Sequence, residues 1–342
     1  MSESFSRTGY SAVRDGAAGL LDLSARGRIL VSGSEAEMFL NGLITNDVKS
    51  LAVNSWMLAA FANVQGRLLA AVRVMHREDG FLFDTESVTR ETVLKLLERF
   101  TLAGDFKIAD FTESTAVLSV QGTKAADIVG SVFGDAAASI ERQKLANLEF
   151  GNHRVTLIRA THTAEDGFDL FVERHSAVTL RDALTKAGAT PVIDDTVETL
   201  RIEAGIGSYG IDMDETNVVT ETNLDDAISF TKGCYVGQEI VIRIKHRGHV
   251  ARKLTGIILA GPKPAPRNSK IVSADDREIG RVTSSTFSPK LDHAIALGYV
   301  KYDYLAPGMK VKIIGPEVER PGEVIELPFV RGSWSQKPQE KV

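Results

Sequence analysis

The chain has 342 residues with a net charge of −5, 43% hydrophobic residues, 25% charged residues and one cysteine. This is the composition of an ordinary globular protein, and the length allows two or three domains of about 150 residues each. A single cysteine excludes an internal disulfide, and the net negative charge argues against a sequence-independent grip on nucleic acid. Because the chain lacks both an apolar run of about 20 residues and the start of a signal peptide, we expect a cytoplasmic protein without membrane or nucleic-acid partners.

Two segments of the first half share one design. Residues 28–33 are a predicted strand that ends at Gly33 and runs into a helix through a capping-box sequence at 34–37. Residues 116–122 repeat the strand and its closing glycine, Gly122, before a second predicted helix. Unless the similarity is chance, two such units indicate two related α+β subdomains.

The sequence changes character after residue 251. A proline-rich connector at 261–266 is followed by short predicted strands between turn residues, which is typical of a small β-barrel or sandwich. The polar residues beyond 331 predict a loose tail.

Two familiar site types are not supported by the residues. The glycines of 205–210 follow a predicted helix and precede acidic residues, so they do not fit a dinucleotide-binding turn. The seven histidines are dispersed and no second cysteine is present, so we predict no metal site. His246 and His249 are interpreted as surface residues because Gly248 interrupts a shared helix.

The only cysteine, Cys234, lies in the sequence Lys-Gly-Cys-Tyr-Val-Gly-Gln-Glu, residues 232–239. Two flanking glycines permit unusual backbone conformations, and the neighbouring Lys232 would raise the thiolate fraction. The alternative is that the cysteine is a small buried hydrophobic residue. Gln238 and Glu239 either support a site or simply begin a helix.

The stretch 241–253, directly after the cysteine motif, carries several positive charges. A solvated strand and loop is one interpretation. The other is a pocket for an anion such as a carboxylate or phosphate tail.

Several ordered motifs resemble the superfamily of the glycine-cleavage T-protein. They are Phe-Leu-Asn-Gly-Leu-Ile-Thr-Asn-Asp at 39–47, Thr-His-Thr-Ala-Glu-Asp-Gly-Phe-Asp at 161–169, Leu-Arg-Ile-Glu-Ala-Gly at 200–205, and Gly-Arg-Val-Thr-Ser-Ser at 280–285. The eight residues of the cysteine motif resemble the signature of its YgfZ-type folate-binding branch, which is associated with making or repairing iron–sulfur proteins.

The resemblance implies tetrahydrofolate as the ligand. Asp169 stands where the family places a carboxylate that grips the pterin edge, with Asp in place of the usual Glu. Arg201 matches an arginine of the folate site, although a structural salt bridge to Glu198 or Glu203 is the alternative. His162 replaces a common tyrosine of that site.

One departure from the family pattern bears on activity. Aminomethyltransferases carry two aspartates at the positions of Ala70 and Ala71, and the resemblance implies that the first aspartate positions the reacting groups. Alanine neither accepts a proton nor stabilises a developing cation. Aminomethyl transfer is therefore not expected, although enzymatic activity of another kind is left open.

We predict an α+β protein with two related ferredoxin-like α+β subdomains plus a C-terminal antiparallel β-barrel, arranged as a ring around folate. The predicted bounds are 15–110 for the first subdomain, completed by 201–248, then 111–200 for the second, 250–330 for the barrel and 331–342 for the tail.

The predicted function is that of a tetrahydrofolate-binding accessory protein for iron–sulfur cluster assembly or repair, with iron–sulfur client or assembly proteins as partners. Cys234 is the predicted functional thiol and Lys232 its local cation, while Asp169, Arg201 and His162 are predicted to bind folate. The alternatives are a folate-dependent one-carbon transferase or demethylase, and a protein-interaction module with a vestigial folate site.

Overall fold

The computed structural model describes residues 5–99, 104–316 and 319–335. The helices are α1 (Arg7–Arg14), α2 (Ala36–Leu43), α3 (Arg90–Glu98), α4 (Ala125–Phe133), α5 (Asp135–Ala138), α6 (Ala177–Lys186), α7 (Asp194–Glu203) and α8 (Gln238–Arg247). The first eleven strands are β1 (Gly19–Asp22), β2 (Gly27–Ser32), β3 (Ser55–Ala62), β4 (Leu68–Arg77), β5 (Gly80–Thr85), β6 (Lys107–Asp110), β7 (Thr115–Gln121), β8 (Leu145–Phe150), β9 (His153–Arg159), β10 (Gly167–Glu173) and β11 (Thr190–Pro191). The last six are β12 (Arg252–Leu259), β13 (Lys270–Ser273), β14 (Glu278–Ser288), β15 (His293–Lys301), β16 (Lys310–Ile314) and β17 (Glu319–Ile325). None of the helices in these ranges is long and apolar enough to cross a membrane.

The strands form two open sheets and a closed barrel. The first sheet has the order β3-β4-β5-β2-β6, the second the order β11-β1-β7-β10-β9-β8, and the barrel the order β12-β15-β14-β13-β16-β17. Helices α2 and α3 cover one face of the first sheet, and α4 and α6 cover one face of the second. This architecture confirms the predicted fold class.

The two sheets are built on one plan with exchanged edge strands. In the first sheet β6 lies beside β2, and in the second sheet β1 lies at the equivalent place beside β7. The amide of Glu35 donates to the carbonyl of Asp105 at 3.2 Å, and the amide of Lys124 donates to the carbonyl of Ala17 at 3.0 Å. Strand β1 thus comes from a part of the chain that precedes the first sheet.

The capping box predicted at 34–37 does not form. Helix α2 begins at Ala36, and the N-cap residue before it, Glu35, makes no side-chain capping bond. The hydroxyl of Ser34 donates instead to the carboxylate of Asp105 at 2.7 Å. The side chain of Ser34 therefore binds the loop before β6 and does not cap the first turn of α2.

The uncovered faces of the two sheets share an apolar cluster. It combines Leu30, Met75 and Leu82 of the first sheet with Val117, Ile158 and Phe171 of the second, all buried. Side chains that project from these faces therefore meet in a buried layer between the sheets. The polar groups described below lie on the same strands, β4, β5, β7 and β10.

The segment between α7 and the barrel packs onto the first sheet. Met213, Val219, Ile228 and Val241 form one buried cluster with residues of β3 and β4. Within this segment, residues 238–247 form helix α8, where a solvated strand and loop was one interpretation. Gln238 and Glu239 are its first residues, and Glu239 pairs with Arg243 one turn later at 2.6 Å.

The predicted loose tail, 331–342, lies partly outside the described residues. In the described part, Ser333 donates from its amide at 2.8 Å and from its hydroxyl at 2.7 Å to the carboxylate of Glu165. The guanidinium of Arg142 lies 3.9 Å from the ring centre of Trp334. The chain is therefore held against the second sheet as far as residue 335.

Candidate functional site

Asp169 projects from β10 into the layer between the sheets and is fully buried. One of its oxygens accepts a hydrogen bond from Arg73 Nη1 on β4 and lies 2.9 Å from His162 Nε2. Burial by itself raises the pKa of Asp169, but the charges of His162 and Arg73 and hydrogen bonds from His162 and Ser119 outweigh it, so the pKa lies well below its usual range. The carboxylate is ionised under ordinary conditions.

Arg73 connects two buried carboxylates. Its Nε donates to Asp84 on β5 at 2.7 Å, while its Nη1 donates to Asp169 across the layer. Burial lowers the pKa of Arg73, but the charges of the two aspartates outweigh burial and raise it. The third nitrogen, Nη2, is buried and has no hydrogen-bond partner among the described residues. An acceptor brought next to Nη2 would satisfy it.

Asp84 is held at the far end of this network. It also accepts two hydrogen bonds from Arg26, whose Nη2 lies 2.8 Å from its carboxylate. Burial raises the pKa of Asp84, and the charges of Arg26 and Arg73 outweigh it and lower the pKa. The network therefore contains two cations and two anions, apart from His162.

His162 is the more exposed of the two charged partners of Asp169, since the side chain of Arg73 is buried. Its side chain is 21% exposed, whereas that of Asp169 is fully buried. The backbone amide of His162 donates to the side chain of Gln121 at 2.9 Å, which fixes the loop after β9. The imidazole thus lies between the buried carboxylate of Asp169 and the protein surface.

The two alanines of interest occupy opposite faces of β4. Ala70 pairs with Phe61 of β3 and is buried in the cluster beneath helices α2 and α3. Ala71 pairs with Ala60 and, two residues from Arg73, lies on the same face as that arginine. Neither position provides a carboxylate, and the nearest charged group on the inner face of the strand is a cation.

Arg201 lies away from Asp169, at the junction of α7 and the barrel. Its Nη1 contacts the buried carboxylate of Asp212 at 2.7 Å, and its Nε donates to Glu198 at 2.8 Å. Its Nη2 also donates to Ser284 of β14 at 3.0 Å. These contacts make the guanidinium a junction between three parts of the chain and include the Glu198 pair considered from the sequence.

Lys232 is fastened to the end of α2. Its ammonium group donates to the backbone carbonyls of Asn41, Ile44 and Asn46 at 2.7, 2.9 and 2.6 Å. Burial lowers the pKa of Lys232 to about 8. Carbonyl oxygens at the C-terminal end of a helix favour a cation, so these three bonds favour the protonated form. The lysine anchors the loop that carries the cysteine.

Cys234 is exposed, so the interpretation as a buried hydrophobic residue is wrong. The loop around it is nevertheless held firmly. Val236 donates from its amide to the carbonyl of Gly42 at 3.2 Å. Gly237 has a φ of +85°, and a Cβ atom there would meet the carbonyl oxygen of Asn63 at 2.5 Å. The thiol is therefore presented to solvent by a loop packed on α2 and on the turn between β3 and β4.

The cations after the cysteine motif are mostly paired. Lys245 Nζ lies 3.6 Å from the ring centre of Phe230, and Arg252 contacts Glu221 at 3.3 Å. Arg252 also lines a cavity of about 560 Å³ between residues 211–217 and the barrel. These contacts fit a solvated helical face better than a single anion pocket.

Sequence reasoning missed Arg73 and Asp84. A lone arginine within the apolar run 68–75 was the available signal. Such a residue is rarely buried without a charged partner. The partner could have been sought among the acidic residues of neighbouring strands.

Comparison with known proteins gives matches over most of the chain. Residues 3–232 match the GCVT N-terminal domain, and residues 252–331 match the glycine cleavage T-protein C-terminal barrel domain. An aminomethyltransferase from Rubrobacter xylanophilus is 32% identical over 94% of this chain and 85% of its own length. One from Alcanivorax borkumensis is 31% identical over 94% and 88%.

A solved structure has the same fold. The crystal structure of the glycine cleavage system aminomethyltransferase T from Bartonella henselae superposes with a TM-score of 0.85 over 95% of this chain and 89% of that one. At 21% sequence identity, this likeness concerns the fold alone.

Proposed function

This chain belongs to the glycine cleavage T-protein family, and from that premise we propose that it binds tetrahydrofolate without transferring aminomethyl groups. We further propose that it belongs to the YgfZ-type branch and serves as an accessory protein in iron–sulfur cluster assembly or repair. In this role Cys234 is the functional thiol, and its partners are iron–sulfur client or assembly proteins.

The observation that carries the proposal is the inner face of β4. Ala71 and Arg73 stand on that face, and Ala70 points into the helical cluster on the other side. Aminomethyl transfer develops positive charge on the carbon being transferred, which a carboxylate stabilises and a guanidinium repels. The chain has the family fold, but Ala70 and Ala71 supply no carboxylate at the two positions where the resemblance places aspartates.

The residues around Asp169 fit a pterin ring. The amino-pyrimidinone edge of a pterin offers paired N–H donors, which an ionised carboxylate such as Asp169 accepts. The same ring carries a carbonyl oxygen, an acceptor of the kind that Arg73 Nη2 lacks. The donors of the pterin would have to replace His162, the exposed partner of Asp169. Arg201 is held by Asp212 and Glu198 and also contacts Ser284 of the barrel. It would contribute to folate binding indirectly, by fixing where the barrel lies.

Calorimetric titration of tetrahydrofolate tests the folate proposal. The parent chain is expected to bind, and His162→Ala is expected to bind about tenfold more tightly, because a hydrogen bond to a charged group is worth about 1.5 kcal/mol or more. His175→Ala is the matched control and is expected to leave folate affinity unchanged. Absence of binding in both the parent and His162→Ala would overturn the proposal and favour a protein-interaction module.

The thiol proposal rests on the exposure of Cys234 and on the anchoring of its loop through Lys232. A sulfur atom on a fixed, exposed loop is accessible to a cluster or thiol of another protein. Cys234→Ser is expected to fail to restore iron–sulfur enzyme activity in cells that lack this protein, whereas the parent restores it. Full restoration by Cys234→Ser would remove the thiol from the proposed function without affecting the folate proposal.

A folate-dependent one-carbon transferase is the second candidate. The observation in its favour is that the relatives above are aminomethyltransferases at 31–32% identity. Formaldehyde release or methylene transfer from small amines, measured with and without tetrahydrofolate, separates the two functions. Turnover that survives Cys234→Ser would support the transferase.

A further inference from the structure

We propose that His153, Glu173 and His175 form a binding site for a divalent transition-metal ion of the Zn²⁺ type. Among the described residues, this is the one group of three or more histidine, cysteine and carboxylate side chains whose ligand atoms come together, all within 4.8 Å of one another. The group lies at the outer end of the second sheet. It shares no residue with the network around Asp169.

Strand pairing brings the three residues of the site together. His153 is the first residue of β9 and Glu173 is the last residue of β10. These strands are antiparallel neighbours, so the start of one lies beside the end of the other. His175 follows within a short 3₁₀ turn at 174–176. The sheet therefore fixes two of the ligands, and the turn brings in the third.

The separations suit a shared ion better than direct hydrogen bonds. Glu173 Oε2 lies 3.4 Å from His153 Nδ1 and 3.4 Å from His175 Nε2. Strong N–H···O bonds are shorter, with a usual distance of about 2.9 Å. In a tetrahedral site with metal–ligand bonds of about 2.1 Å, the ligand atoms are roughly 3.4 Å apart. The two histidine ligand atoms lie within 4.8 Å of each other, so a Zn²⁺ ion would leave the carboxylate almost in place and draw the two imidazoles closer together.

The donor set defines the class of metal. Two imidazoles and one carboxylate suit Zn²⁺, Co²⁺ and Ni²⁺, and are poor ligands for Mg²⁺ or Ca²⁺, which prefer oxygen. The side chains are 37%, 57% and 66% exposed for His153, Glu173 and His175, so solvent can supply a fourth ligand. Glu173 and His175 also border a cavity of about 490 Å³ that contains Arg77 and Arg154. These cations favour a water or small anion in the fourth position.

Calorimetric titration of the full chain with ZnCl₂ tests the site. We expect one Zn²⁺ per chain, and a loss of affinity of at least about tenfold in His153→Ala and in His175→Ala, since even changes outside the ligand shell cost 10–100-fold. His293→Ala, a change at another exposed histidine, is the matched control and is expected to bind as the parent does. Equal affinity in the parent and a His153→Ala, His175→Ala double variant would overturn the proposal.

Co²⁺ provides a second readout that does not depend on affinity. A four-coordinate site gives intense visible absorption, and we expect that band in the parent and its loss in Glu173→Gln. Circular dichroism checks that the variants keep their fold, as expected for exposed side chains. Only the weak spectrum of hexa-aqua Co²⁺ with the parent chain would overturn the proposed geometry. Folate titration of His175→Ala separates this site from the folate proposal.

Discussion

Arg73 on β4 donates a hydrogen bond to Asp169 on β10, and this contact joins the two sheets within their shared interior. By the resemblance, aminomethyltransferases carry aspartates at positions 70 and 71 of β4, and Asp169 is the carboxylate predicted to bind folate. Here a cation faces that carboxylate, and Asp84 balances the cation from behind. Asp169 is therefore part of a buried network of ion pairs that also contains Arg73, Asp84 and Arg26.

Removing Arg73 should be costly for stability. In Arg73→Leu, Asp84 and Asp169 each lose a buried partner, and breaking a buried pair typically costs about 3–5 kcal/mol. Urea unfolding of the parent and the variant measures the loss. Arg77→Leu is the control on the same strand, because its pair with Asp79 is exposed and worth no more than about 1 kcal/mol. Equal losses in the two variants would contradict the central role of Arg73.

The same network predicts a loss of stability in acid. The folded-state pKa values of Asp84 and Asp169 lie below the ordinary value of 3.8. In the range between the lowered values and 3.8 the unfolded chain binds more protons, so the free energy of unfolding falls as the pH drops below about 4. Thermal melting at pH 6, 4 and 3 measures this slope, which Arg73→Leu should make shallower. A parent Tm that is constant down to pH 3 would exclude the effect.

Lys232 should matter for stability more than for the reactivity of the thiol. Lys232→Gln leaves up to three carbonyl oxygens at the end of α2 without their donor, at a cost of about 1–3 kcal/mol for each buried group left unpaired. We expect lower stability in urea and an unchanged pH dependence of Cys234 alkylation. A shift of that dependence to higher pH would show instead that Lys232 acts as the cation of the thiol, as predicted from the sequence.

The two glycines beside Cys234 should respond differently to alanine. Gly237→Ala places a Cβ atom 2.5 Å from the carbonyl of Asn63 at a φ of +85°, and strain of this kind costs about 1–3 kcal/mol. A Cβ at Gly233 would meet nothing within 4 Å, so Gly233→Ala should change stability by less than about 0.5 kcal/mol. Urea unfolding and the alkylation rate of Cys234 distinguish them. Identical behaviour of the two variants would mean that the loop is not held by this contact.

The related halves could be predicted because the pattern that specifies them is local. Gly33 and Gly122 each close a strand and precede a helix within a few residues, and the structure shows that local design in both sheets. Strand β1 was not foreseen in the second sheet, since four residues carry little pattern and their partner in β7 lies almost 100 residues away. Pairing over such distances is decided by packing.

The residues of the candidate site also divide into those that a local motif predicts and those that depend on long-range strand pairing. Asp169 and His162 could be named from one short motif, and they do lie in contact. Arg73, Asp84 and the cluster of His153, Glu173 and His175 depend on which strands become neighbours. Histidines that are 22 positions apart look dispersed in the sequence until β9 and β10 are placed side by side. Side-chain types were visible, but their proximity was not.

The exchanged edge strand has a consequence for synthesis of the protein. Strand β1 (Gly19–Asp22) is translated before both of its neighbours, β7 (Thr115–Gln121) and β11 (Thr190–Pro191). During translation β1 therefore has no partner strand until β7 has been made, almost 100 residues later. If the two halves were expressed as separate fragments, β1 would belong to the fragment that carries the first sheet. Strand β7 would then have an unpaired edge, which is a template for aggregation. The two sheets share one plan, but the exchange of β1 makes the second sheet depend on a segment that precedes the first.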